Sequence, residues 1–255
     1  MNLASYILQK TNGSTYLFST GQAGYVIKSS SGQLLAIDLY LSNCVERTEG
    51  HIGFKRMLPQ LLGADELEFD VIVATHPHLD HFDIDAIPEM MSTGNPQLCC
   101  SVNCKELIEQ TQMEYFNDRI RYVKPGDDFV CGDFAIHFVG CDHGEGAPDA
   151  VGVVVEVDGK VIYEAGDTCL RLDRVDEVTR FGAIDVLIAP INGAYGNLNE
   201  KECVELGKAI NPRITIPCHY GMFASHGGNP GLFYEEAKSN HLTCAIMAQG
   251  ESLEL

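Results

Sequence analysis

The chain has 255 residues, 17 Lys and Arg against 36 Asp and Glu, and a formal charge of -19. That length suits one large layered core, and the expectation is a single domain over residues 1–255. The charge argues against a nucleic-acid partner, whose phosphates are bound mainly by Lys and Arg, but not against a small anionic substrate, because bound dications would dominate the local field. Met1 to Lys10 carries no basic start followed by an apolar stretch, and no run of eighteen apolar residues occurs, so neither export nor membrane insertion is expected and the cytoplasm is the expected compartment. The ten cysteines are scattered through strand-like and helix-like segments, which points to reduced, buried thiols, Cys99, Cys100 and Cys104 among them. Oligomeric state is open, a homo-oligomer included.

From Ser14 to Asp38, TYLFST, AGYVIKSS and QLLAID alternate apolar and polar residues between breaks at Gly21, Gly24 and Gly32, which predicts an antiparallel meander. A short helix is expected within Arg56 to Gly63. FDVIVATH, Phe69 to His76, is a β-branched strand buried on both faces. Helical spacing follows over Ile84 to Met91 and over Cys104 to Tyr115, the latter with Asn103 as its N-cap. Ala135 to Val139 and Val151 to Glu164 are strand-like, the second folded into a hairpin at Asp158-Gly159. Asp185 to Ile191 is a further strand, Asn199 to Ile210 a helix capped by Asn199, and Arg213 to His219 a strand that ends in a histidine. Strands with interposed helices in both halves predict an α/β fold of two sheets packed face to face under helices, a four-layer αββα sandwich.

The chemistry concentrates in Thr75-His76-Pro77-His78-Leu79-Asp80-His81. In extended backbone, residues i and i+2 share a face, so His76 and His78 can point at one ion, and Pro77 keeps His76 out of helical geometry. A turn after Pro77 swings Asp80 and His81 toward a second ion about 3.5 to 4 Å away. Further donors stand after strands: His143 in CDHGEG, Asp167 in EAGDT beside Gly166, and His219 in IPCHYG. Cys218, facing away from His219 in an extended strand, is expected to pack and not to ligate. His51, His137 and His241 lack such context and are expected to be ordinary core or surface residues.

At these residues the chain is similar to the metallo-β-lactamase superfamily, whose signature is His-x-His-x-Asp-His followed by a His, a bridging Asp and a final His. The resemblance implies His76, His78 and His143 at metal 1, Asp80, His81 and His219 at metal 2, and Asp167 between them. Iron oxygen-reducing proteins on that fold usually carry Glu at the second motif position, which here is His78, so hydrolysis is favoured. A His and Asp donor set accepts manganese, zinc or iron. Two dications lower the pKa of a shared water and polarise the scissile carbonyl or phosphoryl group, with Asp80 or Asp167 moving the proton.

Within the superfamily the chain resembles the L-ascorbate-6-phosphate lactonase branch through GQAG at Gly21, DLYLSN at Asp38, APDAVG at Ala147 and HYGMF at His219. That resemblance implies manganese and a phosphorylated sugar-acid lactone. His226 is the candidate substrate contact, because it follows His219 on the same loop, whereas Arg171, Arg174 and Lys201 are more simply read as solvated. The rival functions are a phosphodiesterase for small or cyclic nucleotides, a nuclease, which the charge disfavours, and a non-catalytic metal-binding scaffold.

Overall fold

A computed structural model describes residues 2–255. The first half supplies β1 (Tyr16–Gly21), β2 (Gly24–Lys28), β3 (Leu34–Ile37), β4 (Val71–Ala74), β5 (Gln97–Ser101) and β6 (Ile120–Val123). The second half supplies β7 (Asp128–Cys131), β8 (Phe134–Gly140), β9 (Val151–Val157), β10 (Lys160–Glu164), β11 (Val186–Pro190) and β12 (Ile214–Cys218), and the short β13 (Ser252–Glu254) follows. One sheet has the order β13-β1-β2-β3-β4-β5-β6 and the other β12-β11-β10-β9-β8-β7. The expected meander is present as β1, β2 and β3, paired antiparallel with Leu17 opposite Ile27 and Val26 opposite Ala36. From β3 to β6 the pairing is parallel, as it is from β10 to β12.

The strands of the meander are buried on both faces, which their sequence disguises as alternation. Leu17, Ile27, Leu35 and Ile37 point between the sheets, toward Phe134, Ile136, Phe138 and Val153. Their neighbours Phe18, Val26, Leu34 and Ala36 point outward, under helices. Each fully buried Leu, Ile or Val contributes about 1.5–3 kcal/mol, so the period-two pattern of the strands fixes three apolar layers at once.

The helices are α1 (Leu3–Gln9), α2 (Cys44–Glu49), α3 (Ala86–Ser92), α4 (Lys105–Gln110), α5 (Val175–Thr179), α6 (Glu200–Ile210) and α7 (Pro230–Ser239). Leu3 and Ile7 of α1, Ile87 and Met90 of α3 and Ile108 of α4 cover the outer face of the first sheet. Val178, Val204, Leu206 and Phe233 of α5, α6 and α7 cover the second. The four layers are therefore αββα, as expected. Among the described residues no helix is long and apolar enough to cross a membrane.

Two boundaries differ from the sequence reading. Arg56 to Gly63 holds no helix; Pro59 withholds a donor and biases Leu58 away from helical geometry, and the helix of this region is α2. The second helix runs only over Lys105–Gln110, with Cys104 and not Asn103 at its N-cap, and it stops where Gln112 takes φ +56. Asn199 caps α6 as predicted, accepting from the Lys201 and Glu202 amides while Glu202 reaches back to the Asn199 amide. The β9–β10 hairpin turns at Asp158 and Gly159, both with positive φ, the geometry of a type I′ turn. All ten cysteines are free thiols.

Candidate metal centre

Six strand ends meet at one edge of the sandwich. Within each sheet the contributing strands run in the same direction, so β1, β3 and β4 deliver Gln22, Asp38 and the Thr75–His81 segment, while β8, β10 and β12 deliver His143, Asp167 and His219. A hydrogen bond from the Val151 amide to the Thr75 carbonyl, 3.1 Å, and another from the His219 amide to the Gln22 carbonyl, 2.8 Å, tie the two sheets at this edge.

The segment after β4 behaves as its sequence implies. His76 Nε2 lies 3.0 Å from His78 Nδ1, and the chain then turns, with the His81 and Phe82 amides both donating to the His78 carbonyl. His143 Nε2 approaches the same His78 nitrogen at 3.1 Å. Donor atoms of His76, His78, His143 and Asp167 all lie within 4.8 Å of one another, and so do those of Asp80, His81 and His219. Asp167 stands between the groups: its Oδ2 is 3.7 Å from His143 Nε2 and 3.1 Å from His219 Nε2, and its Oδ1 is 3.4 Å from His81 Nε2. Asp80 Oδ2 is 3.3 Å from His219 Nε2.

The electrostatics divide the cluster. Burial, followed by the His81 charge, holds His76 well below the usual imidazole range, and burial lowers His78 and takes His143 to about 4. For His219, burial is outweighed by Asp167 and Asp80, which raise it to about 9, and His81 is likewise raised by Asp167, Asp38 and Asp80. Against burial, His219 and His81 hold Asp167 well below the carboxylate range, and the same imidazoles lower Asp80.

Two participants were not singled out from sequence. Asp38, fully buried, accepts from His81 Nδ1 at 2.7 Å, from Thr75 Oγ1 at 2.6 Å and from the Thr75 amide at 2.8 Å, and so orients His81 with Nε2 toward the cluster. Gln22 donates its amide to Asp80 Oδ2 at 2.8 Å. Both sit in motifs quoted for the family resemblance, and both have positive φ, +49 at Asp38 and +56 at Gln22. Beneath them Glu164 is fully buried with neither carboxyl oxygen hydrogen-bonded, and burial raises it well above its usual range.

Other residues fall where the sequence reading left them, with one difference of cause. Cys218 packs between the sheets, and burial pushes its thiol well above the usual range. It diverges from His219 not because the strand stays extended but because His219 takes φ +61. His137 is a surface residue bound by Asp128 and Glu156 at 2.6 and 2.9 Å. Arg171 is paired with Asp142 and Asp173, and neither it nor Arg174 nor Lys201 lines the cavity above the cluster. His226 does line that cavity, its Nδ1 3.3 Å from the Gln22 amide nitrogen, and burial lowers it to about 4.

Two sheets under helices, with imidazoles and carboxylates gathered on strand-end loops, define an α/β sandwich with side-chain clusters able to hold metal ions. Residues 16–219 match the Beta-lactamase superfamily domain, and the chain belongs to that superfamily. The UPF0173 metal-dependent hydrolase of Anaeromyxobacter dehalogenans is 29% identical over 86% of this chain and 79% of its own length. A second hydrolase of that name, from Thermococcus onnurineus, is 29% identical over 80% of this chain and 94% of its own. Among solved structures, a metallo hydrolase from the archaeon Ignicoccus hospitalis superposes with a TM-score of 0.72 at 22% identity, covering 95% of this chain and 98% of its own, which establishes the shared fold. The names of these relatives give a reaction class and no substrate.

Proposed function

We propose that the protein is a metal-dependent hydrolase that opens the ester of a small lactone at a dinuclear centre. In this reading His76, His78 and His143 hold one ion, Asp80, His81 and His219 hold the other, and Asp167 bridges them. The observation that carries it is the convergence of seven donors from the ends of four strands, β4, β8, β10 and β12, on two adjoining clusters, five of them lining one cavity. The donors fit divalent metal: His78 Nδ1 lies 3.0 Å from His76 Nε2 and 3.1 Å from His143 Nε2, close to the roughly 3.4 Å edge of a tetrahedron with metal–nitrogen bonds of about 2.1 Å. With only nitrogen and oxygen donors, manganese is the proposed metal, zinc and iron being the alternatives that such a set also accepts.

Two such ions lower the pKa of a water toward neutrality and polarise the bond to be broken. The protein supplies position and proton handling. Asp38 fixes the His81 ring, and the Gln22 amide fixes Asp80. Asp80, the more open of the two catalytic carboxylates at 14% exposure against 5% for Asp167, would take the proton of the attacking water and return it to the alkoxide that leaves as the ring ester opens, while Asp167 keeps both oxygens toward the imidazoles. His226, on the cavity wall beside His219, is placed to contact the substrate.

A phosphorylated sugar-acid lactone is the particular substrate that the resemblance implies. The centre suits its ring ester, but among the described residues lining the cavity none is Lys or Arg, so the phosphate finds no cationic side chain there. The experiment is to load the protein with manganese and offer L-ascorbate 6-phosphate, an uncharged lactone and a cyclic nucleotide separately. Ring opening of the uncharged lactone is expected, and faster than that of L-ascorbate 6-phosphate, while cyclic-nucleotide cleavage with no ring opening would replace the lactonase by a phosphodiesterase.

A further inference from the structure

The cavity that the metal-ligating side chains line also has an apolar wall. The cavity is about 430 Å³, within the range of small-molecule sites, and besides the donors it is bounded by Val45, Ile52, Phe54, Leu79 and Tyr195. Phe54 and Leu79 pack against the small apolar cluster that Val45 forms with Tyr40, Cys44, Met222 and Phe223. Phe54 and Tyr195 stand 5.8 Å apart at 45°, two rings forming a wedge.

Two features of this wall have no counterpart in the folding of the chain. Ile52 and Tyr195, brought to the mouth by different loops, are 61% and 60% exposed, so each leaves a large apolar side chain in water. Tyr195 is also held at φ +56, a backbone region unfavourable to a bulky side chain. Its ring gains little burial in return, and a residue strained to hold an apolar ring over a cavity is explained by what the ring covers when the cavity is filled.

Charge on the same wall is one-sided. Glu49 is the ionisable residue on the apolar side, and among the described lining residues none is Lys or Arg. Of the nearby cations, Arg47 pairs with Asp85 at 2.7 Å, Arg56 donates to the carbonyls of Ser42 and Leu58 at 2.6 and 2.9 Å, and Lys55 lies outside the lining. A carboxylate or phosphate on the remote part of a substrate would meet the Glu49 carboxylate with no lining Lys or Arg to offset the repulsion.

From this we infer that the substrate carries an uncharged, apolar group of several carbons remote from its scissile ester, and that Tyr195, Phe54 and Ile52 select for it while Glu49 excludes anionic counterparts. The inference rests on the hydrolase reading for its reacting end and on the apolar wall for its specificity. A methylene that enters such a site is worth about four-fold in binding.

The test uses 4-nitrophenyl acetate, butyrate and hexanoate, with 4-nitrophenyl hydrogen adipate as the anionic match to the hexanoate, on the metal-loaded full chain. The kcat/KM should rise at least ten-fold from acetate to hexanoate and fall at least ten-fold from hexanoate to the adipate. Tyr195→Ala and Ile52→Ser should lower kcat/KM for hexanoate more than for acetate and so flatten the chain-length series, and Glu49→Lys should narrow the gap between hexanoate and adipate. A flat series, or preference for the adipate, overturns the inference. Saturation-transfer NMR with hexanamide and adipamate reads binding without turnover and separates the two proposals. If no ester is cleaved yet hexanamide binds better than adipamate and loses contact in Tyr195→Ala, the hydrolase reading fails and the apolar site stands. If hexanamide does not bind, or binds no better than adipamate, the apolar site fails.

Discussion

Replacing Asp38 by Asn tests whether the centre depends on a residue that touches no substrate. The side chain keeps its shape but exchanges one acceptor oxygen for a donor, at a position where three donors converge: His81 Nδ1 at 2.7 Å, Thr75 Oγ1 at 2.6 Å and the Thr75 amide at 2.8 Å. With the amide oxygen toward His81, the new NH₂ meets the Thr75 N–H. With the oxygen toward the Thr75 amide, the NH₂ meets His81 Nδ1, and the ring satisfies it only by moving its proton to Nε2. That nitrogen is the one 3.2 Å from His219 Nε2 and 3.4 Å from Asp167 Oδ1, so the lone pair offered to a metal would be lost. One buried donor left facing a donor costs about 1–3 kcal/mol. At about 2–4 °C per kcal/mol for a chain of this size, the metal-free variant should melt roughly 3–10 °C lower. Loss of a group that orients a ligand costs about 10- to 100-fold in metal affinity or activity. Elemental analysis after dialysis against graded chelator, with a thermal scan of the stripped protein, measures both. Wild-type affinity for two ions with an unchanged melting temperature would falsify the role assigned to Asp38.

Three further substitutions probe the ligand assignment. Asp167→Ala should lose about one ion or more per chain and lower turnover more than about a hundred-fold, because the carboxylate faces both clusters; full activity would end the dinuclear reading. His78→Ala and His219→Ala should each cause partial metal loss, from different halves, and identical complete loss in both would indicate one site. Cys218→Ser should leave metal content and turnover near wild type while lowering stability by about 1 kcal/mol, since its thiol lies among Val and Ile side chains between the sheets; metal loss as deep as in His219→Ala would place the thiol at the centre.

The legible parts of the site were those whose chemistry is local. Thr75 to His81 places four donors within one turn after a buried strand, and the structure brings them together with His143, Asp167 and His219, each of which follows a strand. Asp38 and Gln22 were illegible as single residues, because their importance comes from partners 43 and 58 positions away. The layers were legible because a half-buried strand alternates and a strand buried on both faces, such as Phe69 to His76, reads as a short continuous apolar run, whereas helix ends were legible at Asn199 and not at Asn103. Asn103 looked like a cap, yet the helix began two residues later, after a 3-10 turn over Val102–Cys104. Helix α7 carries its signal in its start and not in its periodicity: Asn229 caps it and Pro230 stands in its first turn. The three-residue β13 has no such signal, since it exists only by pairing with β1.

What remains is why the donors converge at all, and the backbone supplies a reason. A strand that simply continued past the sheet edge would carry its next side chain away from the neighbouring strands. At Gln22, Asp38, Gly166 and His219 the chain leaves its strand through positive φ, between +49 and +67, which turns it sharply and throws the adjacent side chains inward. For the three non-glycine residues this costs about 1–2 kcal/mol each. The cost is offset locally, because the carbonyl of Gln22 accepts the His219 amide and the side chain of Asp38 collects three donors. The electrostatics follow the same division. On one side burial disfavours the charged forms of His76, His78 and His143, whose ring nitrogens crowd within 3.0–3.1 Å of His78 Nδ1. On the other side, His81 and His219 are held protonated by Asp80 and Asp167, so a metal must displace protons there, and its affinity for that half falls as the pH drops. The strained edge thus presents neutral imidazoles to a cation in one half, and in the other holds protons that a cation would have to displace.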